Sequence, residues 1–153
     1  MKKHSVLFVC LGNICRSPLG EGIFAHLVHE RGLEGQFEID SAGTGAWHVG
    51  KQPDERSIEI AKKHGIDLTG QRARQVSEQD FYRFDTIIAM DRSNLKNLRK
   101  IEPKDGTATL QLMLPDGGDV PDPYYGGRDG FADVFTMVER ACTSLLNKLA
   151  AQH

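Results

Sequence analysis

Cys10 and Arg16 bracket the loop Leu11-Gly12-Asn13-Ile14-Cys15, and Ser17-Pro18 follows at once. An ionised thiol is a nucleophile and a ligand for electrophilic phosphorus. An arginine offers a planar fork that matches two phosphoryl oxygens. Between them, Gly12 and Asn13 are the residue types that tolerate left-handed backbone, which lets successive amides turn inward as a nest for an anion. A helix beginning near Pro18 adds the positive end of its dipole. These features favour thiolate over thiol at Cys10. Ser17 has two open uses, donating a hydrogen bond to that thiolate or capping the helix. The bare Cys-x5-Arg spacing is common, and the alternative is a buried structural thiol beside a surface charge. Context distinguishes the two: apolar run before, Gly-Asn inside, helix start after.

Transfer of phosphate from a monoester also needs a proton for the leaving oxygen. Asp122 is the candidate, in Asp119-Val120-Pro121-Asp122-Pro123-Tyr124-Tyr125. Prolines on both sides stiffen its backbone, although Asp-Pro is also ordinary turn chemistry. Tyr124 and Tyr125 can wall a slot for an aromatic ring.

The elements that must position these groups are legible as patterns. Residues 5–9 are a continuous apolar run, the mark of a strand buried on both faces. Leu19, Ile23, Leu27 and Val28 recur at helical spacing up to Gly32. Further strands are expected at Phe37–Ser41, at Thr86–Met90 and, more weakly, at 109–112. Pro53 opens a helical segment closed by His64-Gly65, and Asp91 can cap a helix over about 92–101. Gln71–Gln75 reads as a polar surface loop, and Ser77-Glu78-Gln79-Asp80 as a helix start. Pro115–Gly130 is loop-like, and Phe131 to Leu149 form an amphipathic helix. Strand–helix alternation predicts an α/β fold with a mostly parallel sheet, its site beyond the C-terminal strand ends.

With 153 residues, 39% apolar and 26% charged, the chain reads as one domain, 1–153. No run is apolar enough to insert in a membrane, and no export signal is visible, so the cytoplasm is expected. A net charge of −2 gives no reason to propose nucleic acid as a partner. Three cysteines, an odd and low number, argue for reduced thiols. His26 and His29 fit a solvated helix face better than a metal site, and no metal or other cofactor is implied.

Val9-Cys10-Leu11-Gly12-Asn13-Ile14-Cys15-Arg16-Ser17-Pro18, together with Asp122-Pro123-Tyr124-Tyr125, closely resembles the low-molecular-weight protein tyrosine phosphatase family. Asp40-Ser41-Ala42-Gly43-Thr44, Ala73-Arg74-Gln75 and Ala89-Met90-Asp91-Arg92-Ser93-Asn94-Leu95 extend the resemblance nearly end to end. It implies a four-stranded parallel sheet flanked by helices, with the phosphate loop after the first strand. It implies that Cys10 attacks phosphorus and that Arg16 and the amides of residues 11–15 hold the phosphate. Asp122 would serve as general acid, then base. Asn13, Ser17, Ser41 and His64 would hold the loop in shape; for His64 the plain alternative is a helix C-terminal residue favoured by the dipole.

The resemblance also bears on substrate and regulation. Family members that act on phosphoarginine tend to carry threonine where Ile14 stands, so Ile14 favours phosphotyrosine. Trp47, in Gly45-Ala46-Trp47-His48-Val49-Gly50, falls where the family places a substrate-facing loop, and the alternative is a core anchor or an idle surface residue. Tyrosine-phosphorylated proteins are the implied partners, with a cognate bacterial tyrosine kinase beside them. Cys15 is expected to guard Cys10 through a reversible disulfide, against the alternative of a small buried filler. An arsenate reductase on this scaffold needs two further downstream cysteines, and only Cys142 is present. A phosphoprotein-binding module without turnover is the rival from another class, and the pairing of Cys10 with Asp122 argues against it.

Overall fold

Successive residues of the first strand face opposite ways, and both ways are apolar. Strand β1 (His4–Cys10) turns Val6, Phe8 and Cys10 into one core and Leu7 and Val9 into another. A strand buried on both faces needs helices on both, which is the doubly covered parallel arrangement. The computed structural model that shows this describes residues 3–126 and 128–152. Met1, Lys2, Gly127 and His153, which the reading of 1–153 as one domain includes, lie outside the described residues.

Strand β2 (Phe37–Gly43) and β3 (Thr86–Ala89) pair with β1 on either side, and β4 (Thr109–Leu112) pairs with β3. All pairings are parallel, in the order β2-β1-β3-β4. The chain leaves β1 toward β2 and later crosses to β3 on the other side. The end of β1 is therefore the point at which the winding reverses, where such sheets open a crevice. Register places Cys10 beside Gly43 and Val9 beside Ala89.

Helix α1 (Arg16–Glu30) and α5 (Arg128–Gln152) cover one face, with α2 (Glu55–Lys63) at their side. Phe8, Phe24 and Phe135 are fully buried there, each worth about 1.5–3 kcal/mol of transfer free energy. The other face is closed by Phe81 of the short α3 (Asp80–Arg83) and by Leu98 of α4 (Arg92–Ile101). Gly20 lets α1 come close to the sheet: a Cβ there would lie 2.8 Å from the Phe8 ring and 2.9 Å from Met90 Cε.

Several expected boundaries move. α2 begins at Glu55, because Asp54 and not Pro53 supplies the cap, its carboxylate accepting the Arg56 N–H at 2.8 Å. β2 runs two residues past Ser41, to Gly43, because its end is pinned between β1 and the segment around Gln75. That segment is not the surface loop expected of Gln71–Gln75. Ala73 is buried, and the Gly43 N–H donates to Arg74 O at 2.8 Å. α5 starts at Arg128, three residues before the apolar pattern does. The Asp91 cap holds, with Oδ1 accepting the Asn94 N–H at 2.7 Å. Among the described residues no helix is long and apolar enough to cross a membrane.

Candidate active site

β1 delivers Cys10 to the sheet edge, and α1 begins six residues later at Arg16. The intervening loop turns its carbonyls outward. Thr44 N–H donates to Cys10 O (2.9 Å), Gly45 N–H to Leu11 O (2.9 Å) and Asp54 N–H to Ile14 O (2.7 Å). The Ser57 hydroxyl donates to Cys15 O at 3.4 Å. The amides of Gly12 to Cys15 donate to no partner among the described residues. Backbone donors are rarely left so, and a run of them at a helix N-terminus is an anion nest. Asn13 makes the turn at φ +57°; Gly12, expected to share that role, keeps an ordinary φ. Gly43 matters as much from outside the loop: a Cβ there would lie 2.9 Å from Leu11 O and 3.0 Å from Asn13 N.

Behind the nest runs a buried polar chain. Arg74 N–H donates to Asn13 Oδ1 at 3.0 Å, which fixes the amide so that Nδ2 faces Ser17 Oγ (2.8 Å) and Ser41 Oγ (3.0 Å). Ser17 Oγ lies 3.0 Å from Cys10 Sγ and 3.4 Å from Ala42 O. With one lone pair occupied by Asn13, its proton is best spent on the sulfur. Ser17 caps nothing; Cys15 holds the N-cap position of α1 without a side-chain bond. The Ser41 hydroxyl donates onward to Glu21 Oε1 at 2.6 Å. His64 has no place in this chain. It is exposed at the end of α2, where its ring stacks on Phe135 at 4.0 Å and 18°. Glu21 and Arg74 provide the support expected of it, by contacts that no local spacing announces.

Arg16 is 2% exposed. Its Nη1 donates to Asp91 Oδ2 at 2.6 Å and to Val120 O at 2.8 Å, and its Nη2 lies 3.8 Å from Asp122 Oδ2. Burial works against the charge, but Cys10 and Asp91 outweigh it and the guanidinium ends above its ordinary value. Asp122 Oδ1 accepts the Tyr124 N–H at 3.1 Å. Burial pushes the Cys15 thiol up, and the carboxylate of Asp54 pushes it further.

A cavity of about 380 Å³ joins these groups. Its floor is Cys10, Gly12, Ile14, Cys15 and Arg16, and its walls are Leu11, Trp47, His48, Asp122, Tyr124 and Tyr125. Trp47 is 68% exposed and lies across Gly45, so it is no core anchor. Tyr124 and Tyr125 meet edge to face at 4.9 Å, with Tyr125 almost wholly exposed. Asn13, Ser17 and Ser41 stand behind the floor and touch the cavity only through Cys10 and the loop backbone. Sequence reasoning gave His48, Asp91 and Val120 no role at this site, although it placed Asp91 at the strand end beside it. The Asp91 signal was spent on its capping role, and Val120 contributes only a carbonyl. Cys142 is buried on α5, away from the cavity. Among the described residues no cluster of three metal-ligating side chains occurs.

Comparison with known proteins points the same way. The family model for low molecular weight phosphotyrosine protein phosphatases matches residues 5–153. The low molecular weight protein-tyrosine-phosphatase YfkJ of Bacillus subtilis is 48% identical over 147 residues, 93% of each chain. A phosphatase of the same description from Schizosaccharomyces pombe is 46% identical, covering 97% of this chain and 99% of its own. The crystal structure of YfkJ superposes with a TM-score of 0.92 at 44% identity, covering 99% of this chain and 98% of that one.

Proposed function

The chain belongs to the low-molecular-weight phosphotyrosine protein phosphatase family and is a cysteine-dependent protein-tyrosine-phosphatase; on that premise we propose which residues run the reaction. Cys10 is the nucleophile. Its thiolate attacks phosphorus, the bond to the phenolic oxygen breaks, and a phosphocysteine forms. Asp122 gives its proton to the departing phenolate, so a neutral phenol leaves. A water then attacks the phosphocysteine and loses a proton to the same carboxylate, returning the thiolate and inorganic phosphate. Arg16 and the amides of residues 11–15 hold the three equatorial oxygens throughout. They carry most of the transition-state charge. Ser17 stabilises the thiolate as leaving group in the second step.

The observation that carries this reading is convergence. The sulfur and the guanidinium, at the two ends of one loop, and the Asp122 carboxyl, from a distant stretch of chain, face one cavity with aromatic walls. Hydrolysis of p-nitrophenyl phosphate tests it. Cys10→Ser should be inactive, and Asp122→Asn should lose about 10²–10⁴ in kcat. Full activity in Cys10→Ser would sink the mechanism. The slot between Trp47 and the tyrosine pair suits a flat ring, and Ile14 fills the floor where a phosphoarginine site would want a hydroxyl. A phosphotyrosine peptide should therefore be hydrolysed far faster than a phosphoarginine peptide.

Tyrosine-phosphorylated proteins in the cytoplasm are the substrates in this reading, with a tyrosine kinase making them. Cys15 lines the same cavity as Cys10 and serves as its guard. Peroxide oxidises the Cys10 thiolate to a sulfenic acid; Cys15 attacks that sulfur, water leaves and a disulfide remains. After peroxide and then thiol, wild type should recover and Cys15→Ser should not; equal recovery rules the guard out.

A further inference from the structure

The segment that carries Asp122 has little to hold it. Pro121 and Pro123 have no N–H to give. Within it, Tyr124 N–H bonds to Asp122 Oδ1 and Gly126 N–H closes a turn on Pro123 O at 3.0 Å. Among the described residues, one side chain hydrogen-bonds residues 121–126 from outside. Arg56 Nη2 donates to Tyr124 O at 2.9 Å, and Arg56 Nη1 donates to Gly126 O at 3.0 Å.

Arg56 is itself fixed on three sides. Asp54 grips it with both carboxylate oxygens, Nε to Oδ1 at 3.0 Å and Nη2 to Oδ2 at 3.1 Å. Its guanidinium lies 4.5 Å above the Phe131 ring, near the start of α5, and 5.7 Å from the Tyr124 ring. Asp54 N–H is bonded to Ile14 O of the phosphate loop at 2.7 Å. A short strut therefore runs from the floor of the site through Asp54 and Arg56 to the backbone of Tyr124. The N–H of that same Tyr124 orients the Asp122 carboxyl.

We propose that Arg56 is the positioning residue for the general acid: it holds the 121–126 segment over the phosphate loop so that Asp122 meets the leaving oxygen and Tyr124 walls the ring. The proposal rests on the reading of Asp122 as the acid. It assigns Arg56 no contact with substrate. A rigid planar fork is needed, because two carbonyls and a carboxylate must be met at once; lysine has no such fork.

The leaving group separates positioning from mere structural support. Phenyl phosphate needs a proton on its leaving oxygen, whereas 2,4-dinitrophenyl phosphate releases 2,4-dinitrophenolate, a stable anion that needs none. Arg56→Ala should lose about 10–100-fold in kcat/KM, which reports only the steps up to departure of the phenol, on phenyl phosphate, a part of what a general acid contributes, and no more than about 3-fold on the dinitrophenyl ester. Arg56→Lys should fall between Arg56→Ala and wild type. Should Arg56→Ala fail to fold, Arg56→Lys carries the test alone, and inhibition by inorganic phosphate at wild-type concentration shows that the loop of either variant is intact. An equal loss on both esters, or no loss on either, overturns the proposal. Asp122→Asn in the same series keeps the two ideas apart. If it lacks the leaving-group dependence, the assignment of the acid fails; if it has the dependence and the Arg56 variants do not, only the strut fails.

Discussion

Replacing Glu21 by glutamine should change stability in a way that depends steeply on pH. Burial raises the Glu21 carboxyl from its ordinary 4.5 to about 7, with the Ser41 hydroxyl and Arg74 opposing and Asp40 adding to the rise. Below pH 4.5 the carboxyl is protonated in both folded and unfolded chains, and it contributes no pH dependence. Between 4.5 and 7 the unfolded chain loses this proton while the folded chain keeps it, so folding becomes less favourable as pH rises. At about 1.4 kcal/mol per pH unit, the interval comes to about 3 kcal/mol, fully lost above neutrality. Glutamine keeps the shape, and its carbonyl can still accept the Ser41 hydroxyl. Glu21→Gln should therefore match wild type near pH 4.5 and melt roughly 6–12 °C higher at pH 8, at about 2–4 °C per kcal/mol for a chain of this size. Thermal unfolding followed by circular dichroism at half-unit steps of pH measures the difference. A difference that stays constant across the range would refute the reasoning, since a packing effect has no reason to titrate.

Gly43→Ala should push the phosphate loop out of place, because its Cβ would press on the Leu11 carbonyl and the Asn13 amide. We expect kcat/KM for an aryl phosphate to fall about tenfold or more while urea unfolding shows a loss of about 1–3 kcal/mol. Asp91→Asn keeps the helix cap but strips Arg16 of its counter-charge, for a loss of about 2–3 kcal/mol by urea unfolding and a changed inhibition constant for inorganic phosphate. Asn13→Ala removes three side-chain hydrogen bonds and strains the φ of +57°, costing about 3 kcal/mol. Asn13→Gly relieves the backbone alone and should recover about 1 kcal/mol of that with no gain in activity.

The fold was legible because its signals are local. An apolar run such as Val6–Val9 needs two covered faces, and the Asp91 cap and the spacing along α1 and α5 declare themselves within a few residues. The groups proposed to react were legible for a different reason: the apolar run, Gly-Asn turn and helix start around them singled out Cys10 and Arg16, and the proton that the reaction needs singled out Asp122 from ordinary turn chemistry. The support behind them was not. Asn13 could be placed by its backbone, but nothing nearby says that Arg74 would fix its amide or that Glu21 would end the chain. His64 shows the hazard of assigning such a role without geometry; it lies on another surface, packed on Phe135. Asp54 and Arg56 follow the Pro53 at which a helix was expected to open and drew no reading of their own, and the carbonyls that Arg56 holds are invisible in any side-chain pattern.

The grip on Arg16 also sets an order of events in folding. Its two nearest partners, Asp91 and Val120, are 75 and 104 residues away along the chain. Contacts of such separation close late and at high entropic cost. An N-terminal fragment ending before Asp91 can contain the whole Cys10–Arg16 loop and still leave its guanidinium unaimed. Return of phosphatase activity during refolding is thus a clock for the closing of these two long loops, and inorganic phosphate, by binding only the finished site, holds that closure shut.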